Sequence, residues 1–183
     1  MMITIVLIAV AVALAAVLAY AASKPDSFAV QRSALIDASP ERIFPLIDDL
    51  HAQSAWSPFE KDPDMKRTHS GPPRGPGATY AWDGNRQVGA GQIAITDSKP
   101  PSQVVLSLQM LRPFKADNTV EFTLDRVGSG TRVTWAMRGR SPFMAKLMGL
   151  FMDCDNMVGK QFEEGLAKLK NLVETQPAAM AAE

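Results

Sequence analysis

Cysteine is nearly missing from this 183-residue chain: Cys154 stands alone. An intramolecular disulfide and a cysteine-built zinc site are therefore excluded, and nothing around Cys154 suggests an activated thiol. Histidine is almost as scarce, and His51 and His69 lie in loop-like segments without metal-ligand spacing or a partnering nucleophile, so both are expected at the surface. No metal and no cofactor is expected, because Gly89-Ala-Gly91 falls inside a strand pattern without the rest of a phosphate loop and no other nucleotide motif can be read. Net charge is also missing, with 19 residues of each sign, so there is no basic field to hold nucleic acid. The last absence is local: residues 1–23 carry no charge at all.

Within that stretch, Ile3 to Ala22 is a run of Leu, Ile, Val and Ala with little else. At about 1.5 Å of rise per residue it is long enough to cross a hydrocarbon core of roughly 30 Å, and a single spanning helix is the direct reading. A cleaved secretory signal is the alternative, since Ala19-Tyr20-Ala21 ends the run in the small-x-small pattern of a signal peptidase site. No Lys or Arg precedes the run, and it exceeds the usual apolar region of about 7–15 residues, which favours the anchor. Lys24 and Arg32 follow the run, which favours a cytoplasmic domain; signal cleavage would make the domain secreted or periplasmic instead.

After a linker at 24–27, the remainder reads as one domain over residues 28–175, with an Ala-rich tail at 176–183 that has no reason to be ordered. Phe28 to Ile36 is a first strand. Ser39-Pro40-Glu41 opens a helix that Pro45 keeps short, and a further short helix or turn covers His51 to Trp56. Gly71 to Gly77 is a loop. Strands follow at 78–83, 88–97, 103–111, 118–127 and 132–138, joined by short turns that imply an antiparallel meander. Alternation puts Val104, Leu106, Leu108 and Met110 on one face, with Val120, Phe122 and Leu124, and Val133, Trp135 and Met137, on the same face of the following strands. From Ser141-Pro142 to about Glu174 the apolar spacing is helical and predicts one long amphipathic helix.

A twisted antiparallel sheet and a long apolar helix can each bury a face only against the other, which makes the domain α+β. The element order, together with Ile36-Asp-Ala-Ser-Pro-Glu-Arg-Ile-Phe44, Ala55-Trp-Ser-Pro58 and Gly130-Thr-Arg-Val-Thr-Trp135, resembles the helix-grip fold of the START/Bet v 1-like (SRPBCC) superfamily. It is most similar to its bacterial polyketide cyclase/dehydrase-like members. The resemblance covers about residues 28–173 and implies a curved antiparallel sheet wrapped around the C-terminal helix, with a cavity between them for an apolar small molecule or lipid. The preceding membrane helix lies outside the basic fold.

Inward side chains would line such a cavity. The candidates are Trp56, Tyr80, Trp82, Met110, Phe114, Phe122, Trp135, Met144, Met148 and Phe151, for each of which plain core packing is the competing explanation. Asp155 falls one helical turn after Phe151 and before Val158 and Phe162, near the centre of the stripe expected to be buried, where a carboxylate needs a partner or a proton. Asp155 is thus a candidate ligand-binding residue that orients a polar group, with a structural hydrogen bond as the competing explanation, and Asp155 and Tyr80 are the candidate acid/base pair if the domain is a cyclase or dehydratase acting on an aromatic polyketide-like substrate. Glu60, Lys61 and Arg112 are expected as rim charges. A flank of Phe143, Leu150 and Met157 could serve a third function, an interaction module with a collapsed cavity, facing either a membrane or a second copy. Membrane-tethered binding of an apolar ligand leads these readings, and no nucleic acid partner is expected.

Overall fold

The computed structural model describes residues 2–151 and 153–175. Helix α1, Met2–Ala22, precedes strand β1, Ser27–Ile36, helix α2, Pro40–Asp48, and a 3-10 turn at Ala52–Ala55. Six further strands follow: β2 Lys66–Ser70, β3 Thr79–Asp83, β4 Ala90–Lys99, β5 Gln103–Arg112, β6 Ala116–Val127 and β7 Gly130–Arg140. Helices α3, Phe143–Met148, and α4, Cys154–Thr175, close the described chain. All seven strands form one antiparallel sheet in the order β1-β7-β6-β5-β4-β3-β2, a meander whose last strand returns to pair with the first. Irregularities in the β4–β5 register at Ala90/Gly91 and Ile95/Asp97 bend the sheet. This is the helix-grip architecture: α4 lies across β1 and β7 in the hollow of a curved sheet.

Local chemistry explains most boundaries. Pro40 sits in the first turn of α2, where its missing donor costs nothing. Pro45 lies inside the helix on its exposed side, so the Glu41 carbonyl that it leaves unbonded can meet water, and α2 ends three residues later. Strand β2 is an addition to the expected elements: Lys66-Arg-Thr-His-Ser70 is an edge strand with no alternating apolar face. The helical text from Ser141 also divides, where a single helix is expected. Gly149 ends α3, and Asp153 starts α4 by accepting the amide of Asn156 at 3.0 Å, as an N-cap does. The tail at 176–183 lies outside the described residues.

The core is unevenly distributed. Toward the C-terminal end of α4, Leu166, Leu169 and Val173 pack with Ile36, Ile43, Ile47, Val104, Leu124 and Val133, all buried. The other half of the hollow, between the first turns of α4 and strands β3–β7, is not filled.

Helix α1 is a candidate membrane span or signal sequence: 21 residues, apolar throughout, with none of its most apolar window buried against the protein. It meets the domain near its end: Ala21 is fully buried, and α1 touches α3.

Candidate functional site

The unfilled half is a cavity of about 330 Å³, toward the lower end of the roughly 300–1,000 Å³ typical of small-molecule sites. Strand alternation supplies its walls: Tyr80 and Trp82 from β3, Ile93 from β4, Leu108 and Met110 from β5, Asn118, Val120 and Phe122 from β6, and Trp135 and Met137 from β7. Helix α4 contributes Val158, Gln161 and Phe162, and the segment after the 3-10 turn contributes Trp56, Phe59, Glu60 and Lys61. Two glycines make room for its large rings. A methyl group on Gly91 would lie 2.6 Å from the Trp82 ring, and one on Gly165 would lie 2.7 Å from Cζ3 of Trp135 and 2.9 Å from Pro58. Gly91 thus belongs to ring packing.

The base of the cavity is an aromatic cluster. Trp135 stacks on Phe162 with centroids 4.3 Å apart and meets Trp56 edge-on at 5.6 Å and Phe122 at 4.9 Å. Trp56 spends its indole N–H on the Leu46 carbonyl at 3.0 Å, which ties the cluster to α2. The indole N–H of Trp135 has no such outlet. Among the described residues, both it and Oδ1 of Asn118 are buried without a hydrogen-bond partner, and both residues line the cavity. An unpaired buried polar atom costs about 1–3 kcal/mol.

The opposite wall is polar but internally satisfied. The Tyr80 hydroxyl donates to Glu60 Oε1 at 2.7 Å, and Arg67 Nε donates to Glu60 Oε2 at 2.8 Å. Arg67 is itself fixed by the carbonyls of Asp62 and Met65. Burial first, and the Glu60 bond second, push the Tyr80 phenol far above its ordinary pKa, so it stays protonated and its proton is already committed. His69 stacks on Tyr80 at 4.7 Å and on His51 at 3.8 Å. Burial, followed by the neighbouring His51 ring, holds His69 below its usual value. The buried carboxylate of Asp62 accepts the backbone N–H of Asn85 at 2.8 Å and of Asp64 at 3.1 Å, fastening the rim segment to the β3–β4 turn.

With this geometry, residues 27–174 match the model of the family described as polyketide cyclase/dehydrase and lipid transport. The chain belongs to that family. No curated protein matches it in sequence. Solved structures share its fold at low identity. Protein MLL2253 from Mesorhizobium loti is 15% identical with a TM-score of 0.61, the match covering 82% of this chain and 99% of that one. Ara h 8.0201 is 12% identical with a TM-score of 0.59, over 82% of this chain and 99% of its own. The di-domain ARO/CYC protein BexL of the BE-7585A biosynthetic pathway is 15% identical with a TM-score of 0.60, over 85% of this chain and 53% of BexL.

The structure brings six of the residues singled out in the sequence to the cavity of this family member: Trp56, Tyr80, Trp82, Met110, Phe122 and Trp135. It places five elsewhere. Phe114 is exposed at the β5–β6 turn, and Met144, Met148 and Phe151 are exposed on and after α3. Asp155 lies on the surface, its side chain 60% exposed, and Oδ2 accepts the Arg32 guanidinium at 3.0 Å. For Met144, Met148 and Phe151 the physical reason is the break between α3 and α4, across which no helical phase carries. Asp155 keeps the phase of the buried stripe Phe162, Leu166, Leu169 and Val173, but it sits in the first turn of α4, where Asp155, Asn156 and Met157 are all exposed, and Arg32 lies over Gly159 to reach both Asp155 and Glu163. Arg112 pairs with Asp83 outside the cavity, and Glu60, expected as a rim charge, is the acceptor of the Tyr80–Arg67 network. Asn118, Leu108 and Ile93 line the cavity without being among the sequence candidates. The signal for Asn118 is there to be read, because it occupies the same alternation as Val120 and Phe122 and is the polar exception on that face.

Proposed function

We propose that this protein binds an apolar small molecule or lipid bearing at least one hydrogen-bond acceptor, and that it carries the molecule rather than transforming it, while tethered to a membrane by α1. The observation that carries this reading is a mostly apolar cavity whose buried base holds an unpaired donor, Nε1 of Trp135. Apolar walls supply affinity, and a single unpaired donor supplies orientation. Family membership and the helix-grip fold support hydrophobic ligand binding. Tethering would raise the protein's effective concentration at the bilayer that supplies a sparingly soluble ligand.

Catalysis as a cyclase or dehydratase is the second reading, favoured by the family and by Glu60 and Tyr80 at the cavity wall. Its chemistry is poorly supplied. Tyr80 is held protonated with its O–H donated to Glu60 in a hydrogen bond, and Asp155 points away from the cavity into a surface ion pair. The interaction-module reading needs a collapsed cavity, and the space of about 330 Å³ argues against it. The test is titration of the full chain in nanodiscs with an apolar fluorescent probe, alongside Ile93→Trp, which fills the cavity from a half-buried wall position. Saturable binding by the parent chain and its loss in the folded variant are expected. A parent chain that binds no apolar probe would refute the proposal.

A further inference from the structure

The end of the domain nearest α1 carries a surface that water alone does not explain. Register places it: Ser27 pairs with Arg140, Gly139 with Asn118, and Met110 with Ala116. The start of β1, the exit from β7 into α3 and the β5–β6 turn therefore lie at one end of the sheet. Phe114 of that turn is 68% exposed, Met144 of α3 is 64% exposed, and Phe151 just beyond α3 is 80% exposed. Helix α3 is inverted for a soluble surface. It turns Lys146 inward, the side chain only 7% exposed and Nζ 2.5 Å from Asp26 Oδ1, while Phe143, Met144 and Met148 face outward. A helix facing only water does the opposite.

What covers this face follows from its connection to α1. Only residues 23–26 separate α1 from β1, α1 touches α3, and the amide of Ser141 is bonded to the Asp26 carbonyl at 2.7 Å. Lys24 lies over the Tyr20 ring at 4.5 Å from its centroid, and a tyrosine with a lysine at the end of an apolar helix is the pairing expected at headgroup level. If α1 spans the bilayer, α3 can only lie at its surface. We infer that α3, Phe151 and the β5–β6 turn form a lipid-docking surface that seats this end of the domain in the headgroup region around α1. The inference rests on the tethered reading above. It also gives the ligand a short route, since Met110, Asn118 and Met137 of the cavity wall belong to this same half of the sheet.

Site-directed spin labelling tests it on the full chain in nanodiscs of phosphatidylcholine and phosphatidylglycerol, with Cys154→Ser as background. Labels are placed by Met148→Cys and Phe114→Cys on the proposed surface, by Leu35→Cys at the opposite end of β1, and by Val10→Cys in α1. Relaxation by lipid-soluble oxygen exceeding that by a water-soluble nickel chelate is expected at Met148, Phe114 and Val10, with the reverse at Leu35. Nickel access at Met148 and Phe114 equal to that at Leu35, with Val10 in lipid, would overturn the docking surface and leave the tether standing. Nickel access at Val10 would overturn both. Shielding of Met148 and Phe114 from both reagents would mean that protein covers the face, which also overturns the inference.

Discussion

Replacing Trp135 with phenylalanine separates the hydrogen bond at the base of the cavity from the packing around it. The substitution removes Nε1, which is buried and unpaired, together with part of a ring that stacks on Phe162 and meets Trp56 and Phe122. Lost packing weakens every ligand, so affinity for one compound says little. The informative quantity is a difference between two ligands of matched shape, an aliphatic ketone and the hydrocarbon with a methylene in place of its carbonyl. One neutral hydrogen bond is worth about 0.5–1.5 kcal/mol net, and the packing loss common to both cancels in the cycle. The ketone should therefore lose about 2- to 12-fold more affinity than the hydrocarbon. Competition against a bound fluorescent probe, with the full chain in nanodiscs, measures both constants. Equal losses for ketone and hydrocarbon would show that Nε1 meets no ligand acceptor, and the argument from the unpaired donor would be refuted.

Three further outcomes follow from the same contacts. Gly165→Ala gains up to about 1 kcal/mol of helix propensity, but its methyl group would press on Trp135 and Pro58; overpacking of about 1–3 kcal/mol should win, and a lower urea midpoint with unchanged slope checks it. His69 is held below its ordinary pKa, so its neutral form is favoured by folding, and its contribution is fully present above about pH 6.5 and lost as pH falls through the lowered value. His69→Phe should accordingly flatten the fall in melting temperature on acidification, measured against the parent chain from pH 7.5 to 5. Asp155→Asn should change stability by less than about 1 kcal/mol, as for an exposed ion pair, and leave probe affinity unaltered; a large loss of turnover on a cognate substrate would instead restore Asp155 as an acid/base group and the cyclase reading with it.

Strand faces are legible because alternation has a period of two and turns interrupt it cleanly, so the residue pattern by itself puts Phe122 and Trp135 on one surface. Helical phase is more fragile. Periodicity aligns Met144, Met148, Phe151 and Asp155 on one continuous helix, but the break between α3 and α4 separates the first three from the stripe of α4, and Asp155, though in phase with that stripe, sits in its exposed first turn. Gly149 and Asp153 are visible as a stop and a cap, but the apolar residues between them mask the signal. Strand β2 leaves no trace because an exposed edge needs no apolar alternation. The Glu60–Tyr80–Arg67 network is out of reach for another reason: Glu60 and Tyr80 are 20 residues apart, and only the fold brings the phenol to the carboxylate.

Native mass spectrometry of the full chain, released from nanodiscs after purification from its own host, shows whether the hollow between sheet and α4 holds an apolar molecule. One copurifying apolar molecule per chain is expected, containing at least one hydrogen-bond acceptor and missing from Ile93→Trp prepared identically. A parent chain that emerges empty, and stays empty after incubation with extracted host lipids, would contradict the proposed binding.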